Sequence, residues 1–299
     1  MKAKIRLPFR PEDNPALWLV PLSALLALVF VLPCAEIVRL SFTSAGFPAG
    51  SSEFSLRSYS ALFSDTAFIK MLGTTLLFVF LSAAFQVGLG FLLALYTDYG
   101  VAKGYRGTML VRAAVLAAWA VPGVVIGIIW RMMYSELDSG IITGILKAFF
   151  PDIRPVFLSD PKNALVCAVV ANIWRGTAYS MILLYAGLRT FPAEIIEAAK
   201  IDRANALQRF FLIVVPVLLP IILISTILVT VQTFNTFDML MSLTGGGPGR
   251  STEVIALNIY RTIFFDLDLG KGAAAALTLL LINIVMTLIY FRYESKAKG

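Results

Sequence analysis

Six apolar runs dominate this chain, each long enough to cross a lipid bilayer, and they leave few other folds open to it. About 20 apolar residues in a helix span the roughly 30 Å of hydrocarbon. In that medium every backbone N–H and C=O must be paired within the segment, so helices are the expected form. The runs lie near 17–40, 68–96, 108–133, 164–188, 211–235 and 272–291, bounded by charges or by Gly and Pro clusters. A soluble core cannot absorb this much apolar surface: 59% of the residues are hydrophobic and 14% charged, against about a quarter charged in a soluble domain. The expected fold is all-α, a polytopic membrane protein with six transmembrane helices. Residues 1–16 form its cytoplasmic tail and 17–299 the membrane domain, with no soluble domain on either side.

A net charge of +7 raises nucleic acid as a partner. The basic residues are scattered singly along loops, however, and no basic run alternates with aromatics, so nucleic-acid binding is not expected. Sorting across the membrane explains them. Lys2, Lys4, Arg6 and Arg10 precede the first run, Lys103, Arg106 and Arg112 adjoin the third, Arg189, Lys200, Arg203 and Arg209 separate the fourth and fifth, and Arg292, Lys296 and Lys298 follow the last. These segments are short and dense in Lys and Arg, which places them and both termini in the cytoplasm of a cell inner (plasma) membrane. The first run is too long for a signal-peptide core and lacks a small-residue cleavage pattern, so it reads as a retained helix.

Several chemistries lack the residues they need. There is no histidine, and Cys34 and Cys167 sit alone in apolar runs, so zinc, haem and disulfide roles have no ligand or partner set. No run holds paired carboxylates or a nucleophile with a base, which argues against an enzyme. Gly245–Gly249 lacks the Gly-Lys-Ser/Thr of a phosphate loop and reads as a flexible external loop.

The loop between the fourth and fifth runs reads as helix, turn, helix. Pro192 suits a first helical turn and Glu194 the positive end of the helix dipole, with the helix running to about Asp202. Asn205 is a candidate N-cap with Gln208 in the capping-box position. Ile195, Ala198, Ala199 and Asp202 recur at helical spacing, and the small alanines permit another surface to approach closely. Against an amphipathic helix lying on lipid stand the acids Glu194, Glu197 and Asp202, which anionic lipid repels and a basic cleft attracts. Docking onto a protein partner is the better reading.

The stretch Glu197-Ala198-Ala199-Lys200-Ile201-Asp202-Arg203-Ala204, with Phe210, Ile213-Val214-Val215-Pro216 and Pro220 after it, resembles the EAA loop in membrane subunits of ATP-binding-cassette importers, in particular carbohydrate-uptake permeases of the maltose type. Ala186-Gly187-Leu188 and Phe191-Pro192 before it, and Leu243 to Pro248 with Ser251-Thr252-Glu253 after it, extend the likeness over the second half of the chain. The resemblance implies a type I importer fold with residues 191–216 as the coupling loop. Glu197, Ala198, Ala199, Asp202 and Arg203 would meet a separate ATPase dimer that holds the ATP and Mg, leaving this chain without cofactors. It further implies a second, homologous permease subunit, an extracytoplasmic solute-binding protein and a sugar-like substrate moved by alternating access. Two positions depart from the pattern: Arg203 where the family has Gly, and Val215 where it has Leu. A non-Gly residue in the left-handed conformation costs about 1–2 kcal/mol, so either Arg203 tolerates that strain or the turn is built differently.

For a solute path, Asn172, Arg175, Gly176 and Tyr179 share one face of the fourth run. A charge at mid-membrane is costly unless it faces protein or water, so Arg175 is expected to point inward. Gln232, Phe234, Asn235, Phe237 and Asp238 follow at the end of the fifth run, mixing polar groups and rings as a sugar requires. The resemblance favours Asn172, Gly176, Tyr179 and Asn235. Packing between helices competes as an explanation, and for Gln86 and Asn283 it is the better one. Gly123 and Gly127 form a small-xxx-small pair suited to a helix interface within the chain or with a second subunit. The alternative function is an ion-gradient-driven secondary carrier or channel, against which the placement of acids almost entirely in loops counts.

Overall fold

The computed structural model describes residues 15–46, 53–190 and 192–297. The tail residues Lys2, Lys4, Arg6 and Arg10, together with Phe191 and Lys298, lie outside the described residues. In chain order, α1 (Pro15–Leu26) passes through a π-turn at Ala27–Val31 into α2 (Leu32–Ser41). Pro33 accounts for the wide turn, since it donates no N–H and its ring crowds the carbonyl four residues back. After α3 (Arg57–Ser64) comes α4 (Thr66–Ala102), whose 37 residues reach about 55 Å and so outrun the hydrocarbon layer.

The third apolar run is not one helix. It breaks into α5 (Gly107–Ala120) and α6 (Gly123–Met133), bent 108° from each other. Pro122 forces the break: the residue before a proline is pushed out of the helical region, and Val121 is extended at φ −78°, ψ 133°. Among the described residues five helical stretches are long and apolar enough to cross a membrane, and six if this bent pair counts as one span.

α7 (Ile141–Phe149) leads to α8 (Pro161–Arg189), which starts cleanly because Asp160 caps the N–H groups of Lys162 and Asn163. α9 (Ala193–Ile201) and α10 (Ala206–Arg209) follow, then a π-turn at Phe210–Val214 that again precedes a proline, Pro216, and enters α11 (Val215–Phe234). α12 (Asp238–Leu243), α13 (Ile255–Phe264) and α14 (Leu269–Ala297) complete the chain.

Two apolar clusters hold the bundle. The larger gathers Phe68, Phe78, Ile126, Ala171, Phe234, Leu240 and Ile255 at the end away from α9, and the smaller gathers Ala94, Met181 and Leu184 nearer to it. α4 and α8 approach closely at Gly90, where an added Cβ would stand 2.9 Å from the Met181 nitrogen. Along these two helices the stretch between the clusters carries Gln86, Asn172, Arg175 and Gly176.

The glycine-rich segment is built, not loose, contrary to the flexible loop expected. Gly245, Gly246 and Gly249 take positive φ, the conformation glycine alone adopts freely. The Thr244 and Thr252 hydroxyls lie 2.7 Å apart, and Thr252 donates to the Gly247 carbonyl at 2.9 Å. Glu253, 1% exposed, pairs with Arg250 and accepts from the Asn258 amide at 3.0 Å.

Candidate functional site

Arg175 is the middle residue of α8, the most costly depth for a charge in a spanning helix. Its guanidinium meets the Asp238 carboxylate at 3.3 Å, across 63 residues of sequence. The pair borders a cavity of about 460 Å³ whose wall also includes Gln86, Trp119, Asn172, Gly176, Gln232 and Asn235. Two breaks in the helical pattern open this space. α11 ends at Phe234 with Asn235 as its cap, α12 restarts at Asp238, and the Pro122 bend turns α6 against α12. Gly123 and Gly127 make that last contact possible: a Cβ on Gly123 would collide with the Asp238 carboxylate, and one on Gly127 with the Ser242 hydroxyl. The small-residue pair therefore serves an interface within the chain.

Each residue expected on the solute path has a definite place. Asn172 lines the cavity at 3% exposure, and its side-chain nitrogen is buried with no hydrogen-bond partner. Gly176 lines it as well, and a Cβ there would collide with the Gln86 amide. Gln86 donates to the Asn172 carbonyl at 2.8 Å, so the residue read as interhelical packing also forms part of the wall. Asn235 lines the cavity while its amide donates to the Val231 carbonyl at 2.7 Å, closing its own helix. Tyr179 is the exception. It stands outside the wall, its ring 6.0 Å from that of Trp119, and so backs a lining residue without lining the cavity itself. Asn283 bonds within its own helix, donating to the Leu279 carbonyl at 3.1 Å.

Trp119 escaped the sequence reading. It lies in the run that breaks at Pro122, and its place on the wall depends on how α5 packs against α8.

The second candidate region is the helix-turn-helix between α8 and α11. Pro192 occupies the cap position, with α9 starting at Ala193, one residue later than expected. At the other end the Arg203 N–H donates to the Lys200 carbonyl at 3.1 Å and the Ala204 N–H to the Ala199 carbonyl at 3.0 Å. Those two bonds are the Schellman closure, which requires a left-handed residue at its turn. Arg203 supplies it at φ 59°, so the strain is accepted and the turn keeps its usual form. Arg209 then donates to the Ala204 carbonyl at 2.5 Å, and Asn205 and Gln208 complete a reciprocal capping box with both bonds at 2.8 Å. Glu197, Ala198, Asp202 and Arg203 are exposed. Ala199 is buried at 7%, so it seats the helix on the chain itself and is not open to a partner. Ile201 at 81% and Leu207 at 69% exposure are apolar knobs on this surface that the alanine spacing did not point to. Behind the loop, Asp98, Arg189, Glu197, Lys200 and Arg209 edge a cleft of about 640 Å³, so the loop stands off the bundle.

On the far side of the bundle, Glu136 accepts from the N–H groups of Phe157, Leu158 and Ser159 at 2.8–2.9 Å and from the Ser159 hydroxyl at 2.6 Å. Burial alone would raise its pKa, but these hydrogen bonds outweigh it and hold the carboxyl below its ordinary value. Arg250, beside Glu253, is shifted upward by that hydrogen bond. Among the described residues no group of three or more His, Cys, Asp or Glu is gathered as a metal site would need.

Comparison with known proteins agrees with this architecture. The chain is 31% identical to the sn-glycerol-3-phosphate transport system permease protein of Agrobacterium fabrum over 94% of each chain. It is 30% identical to the sulfoquinovosyl glycerol transport system permease protein of the same organism, over 92% of this chain and 88% of that one. The trehalose/maltose transport system permease protein of Thermococcus litoralis is 30% identical over 96% of this chain and 95% of its own length. The fold matches a chain of a bacterial ABC transporter involved in import of the acidic polysaccharide alginate, with a TM-score of 0.81 at 20% identity over 95% of this chain and 98% of that one. Residues 86–299 match the family described as binding-protein-dependent transport system inner membrane component, and the chain belongs to that family.

Proposed function

We propose that this chain is one membrane-spanning half of an ATP-driven importer and carries a sugar or polyol-like solute delivered by an extracytoplasmic binding protein. The observation that carries the reading is one of connectivity. The exposed helix-turn-helix joins directly to α8 and α11, which supply Asn172, Arg175 and Gly176 from α8, and Gln232 with the cap residue Asn235 from α11, to the cavity wall. A partner that displaces this loop therefore moves both walls together, which is how a lever drives rigid-body alternating access. Glu197, Ala198, Asp202 and Arg203 offer that partner an acidic and polar surface, and Ile201 and Leu207 offer it apolar contacts.

In this reading the partner is an ATPase dimer that binds ATP and Mg, so this chain catalyses nothing itself. A second, homologous permease chain completes the pathway, and both termini lie in the cytoplasm. The relatives transport glycerol phosphate, a sulfosugar glycerol and disaccharides, all hydroxyl-rich, and the cavity combines amide groups with the Trp119 ring to suit such a body.

The test is copurification followed by transport. The chain should bring down an ATPase and a second permease, and Glu197→Lys should abolish ATP-dependent uptake in proteoliposomes while the chain remains in the membrane. Uptake that persists without the ATPase and collapses with an ionophore would instead establish the ion-driven carrier.

A further inference from the structure

The proposed function leaves open which solutes the cavity accepts, and the Arg175–Asp238 pair bears on that. An optimal Arg–carboxylate contact is bidentate and shorter than 3 Å. Here one guanidinium nitrogen meets one carboxylate oxygen at 3.3 Å, and the two side chains, both on the cavity wall, keep 27% and 30% exposure. Arg175 thus has most of its five N–H donors unused at the wall of a space large enough for a small polyol. Asp238 has a second source of stabilisation. Its carboxylate lies against Gly123, the first residue of the 11-residue α6, so that helix start favours its charge. Beside them the Asn172 side-chain nitrogen is buried on the wall with no partner among the described residues, a donor left for a solute oxygen.

We infer that Arg175 and Asp238 form an exchangeable ion pair that selects solutes bearing one anionic group, a phosphate, sulfonate or carboxylate, on a hydroxyl-rich body. Asp238 holds Arg175 neutralised until the solute's anion takes its place, with Asn172 donating to the same solute. Asp238 then rests on the start of α6. This inference rests on the importer reading, since it assigns that cavity as the solute site.

The experiment uses the assembled complex in nanodiscs of phosphatidylcholine, whose headgroups add no net negative charge. Glycerol 3-phosphate and glycerol, at equal millimolar concentrations, are the charged and uncharged probes. Thermal midpoint reports binding, together with the part of the fluorescence change that Trp119→Phe removes, since Trp119 lines the cavity and is one of four tryptophans in the chain. The expected result is a raised midpoint and a fluorescence change with glycerol 3-phosphate and neither with glycerol. Arg175→Gln should weaken the phosphate response at least tenfold, Arg175→Lys should retain most of it, and Asp238→Asn should tighten it several-fold by removing the competing carboxylate. Equal responses to the two probes, or an unchanged phosphate response in Arg175→Gln, would overturn the inference. Should Arg175→Gln fail to assemble, an Asp238→Asn complex that binds phosphate no more tightly than the native one overturns it as well. Failure of the importer reading has a separate signature, the absence of an ATPase from the purified complex.

Discussion

Two arginines, Arg175 and Arg203, stand where a simpler residue would be cheaper, and the chain accommodates them by opposite means. Arg175 carries its cost in the side chain, a charge at the middle of a 29-residue apolar helix, and is compensated by Asp238 from a distant segment. Arg203 carries its cost in the backbone, at φ 59° in an exposed turn, and is compensated by the Schellman bonds of its immediate neighbours. The first compensation can be exchanged without unfolding anything, because a ligand can stand in for Asp238. The second cannot, because its partners are the main chain. An exchangeable charge suits a solute cavity, and a fixed turn suits a lever that has to transmit force.

The largest effect on this comparison should come from Asp238→Leu. With its counter-ion gone Arg175 is left uncompensated, at a cost on the order of 3 kcal/mol, visible as a lower unfolding midpoint in detergent. Adding Arg175→Leu should recover most of that loss; a double variant as unstable as the sum of its parts would show that the two residues are not coupled.

Gly127→Val should cost about 1–3 kcal/mol by overpacking, because its side chain would collide with Ser242 and separate α6 from α12. The same melting experiment reads it, and an unchanged midpoint would mean the α6–α12 contact does not frame the cavity. Arg203→Gly should stabilise the loop by about 1 kcal/mol, seen as slower amide exchange at Ala199–Ala204. Faster exchange there would place the strain elsewhere.

The smallest effect concerns Glu136. Its carboxyl titrates below the ordinary value of 4.5 in the folded chain, so its contribution is complete above that pH and is lost as pH falls through the depressed folded value. Acidification should therefore speed proteolysis near 157–159 in the native chain. Glu136→Gln should show the faster cleavage already at neutral pH.

Much of this molecule is legible in its sequence. The apolar runs mark the spanning helices, and Asn205 with Gln208 marks a cap whose two bonds are both present. The inward position of Arg175 follows from the cost of exposing a charge to lipid. These readings succeed because each depends on a residue's own chemistry or on neighbours within a helical turn.

What escaped depends on the meeting of remote segments. Whether Pro122 bends or breaks its helix, which glycine faces which carboxylate, and whether Ala199 faces out or in are decided by packing between helices. Tyr179 shares a face with Asn172 and Arg175 yet falls outside the wall, its ring packed instead 6.0 Å from that of Trp119 of α5, which lines it. The glycine-rich segment reads as loose until Thr244, Thr252 and Glu253 are seen to tie it down.

Hydrophobic length and local hydrogen bonding are encoded within short windows, so the helical membrane fold and the capped, mixed-charge helix-turn-helix that links two of its spans can be read from the chain alone. That those two spans wall a polar cavity, with Arg175 paired to Asp238 there, follows only from packing. An ion pair across 63 residues follows from how helices pack, and no local pattern records it.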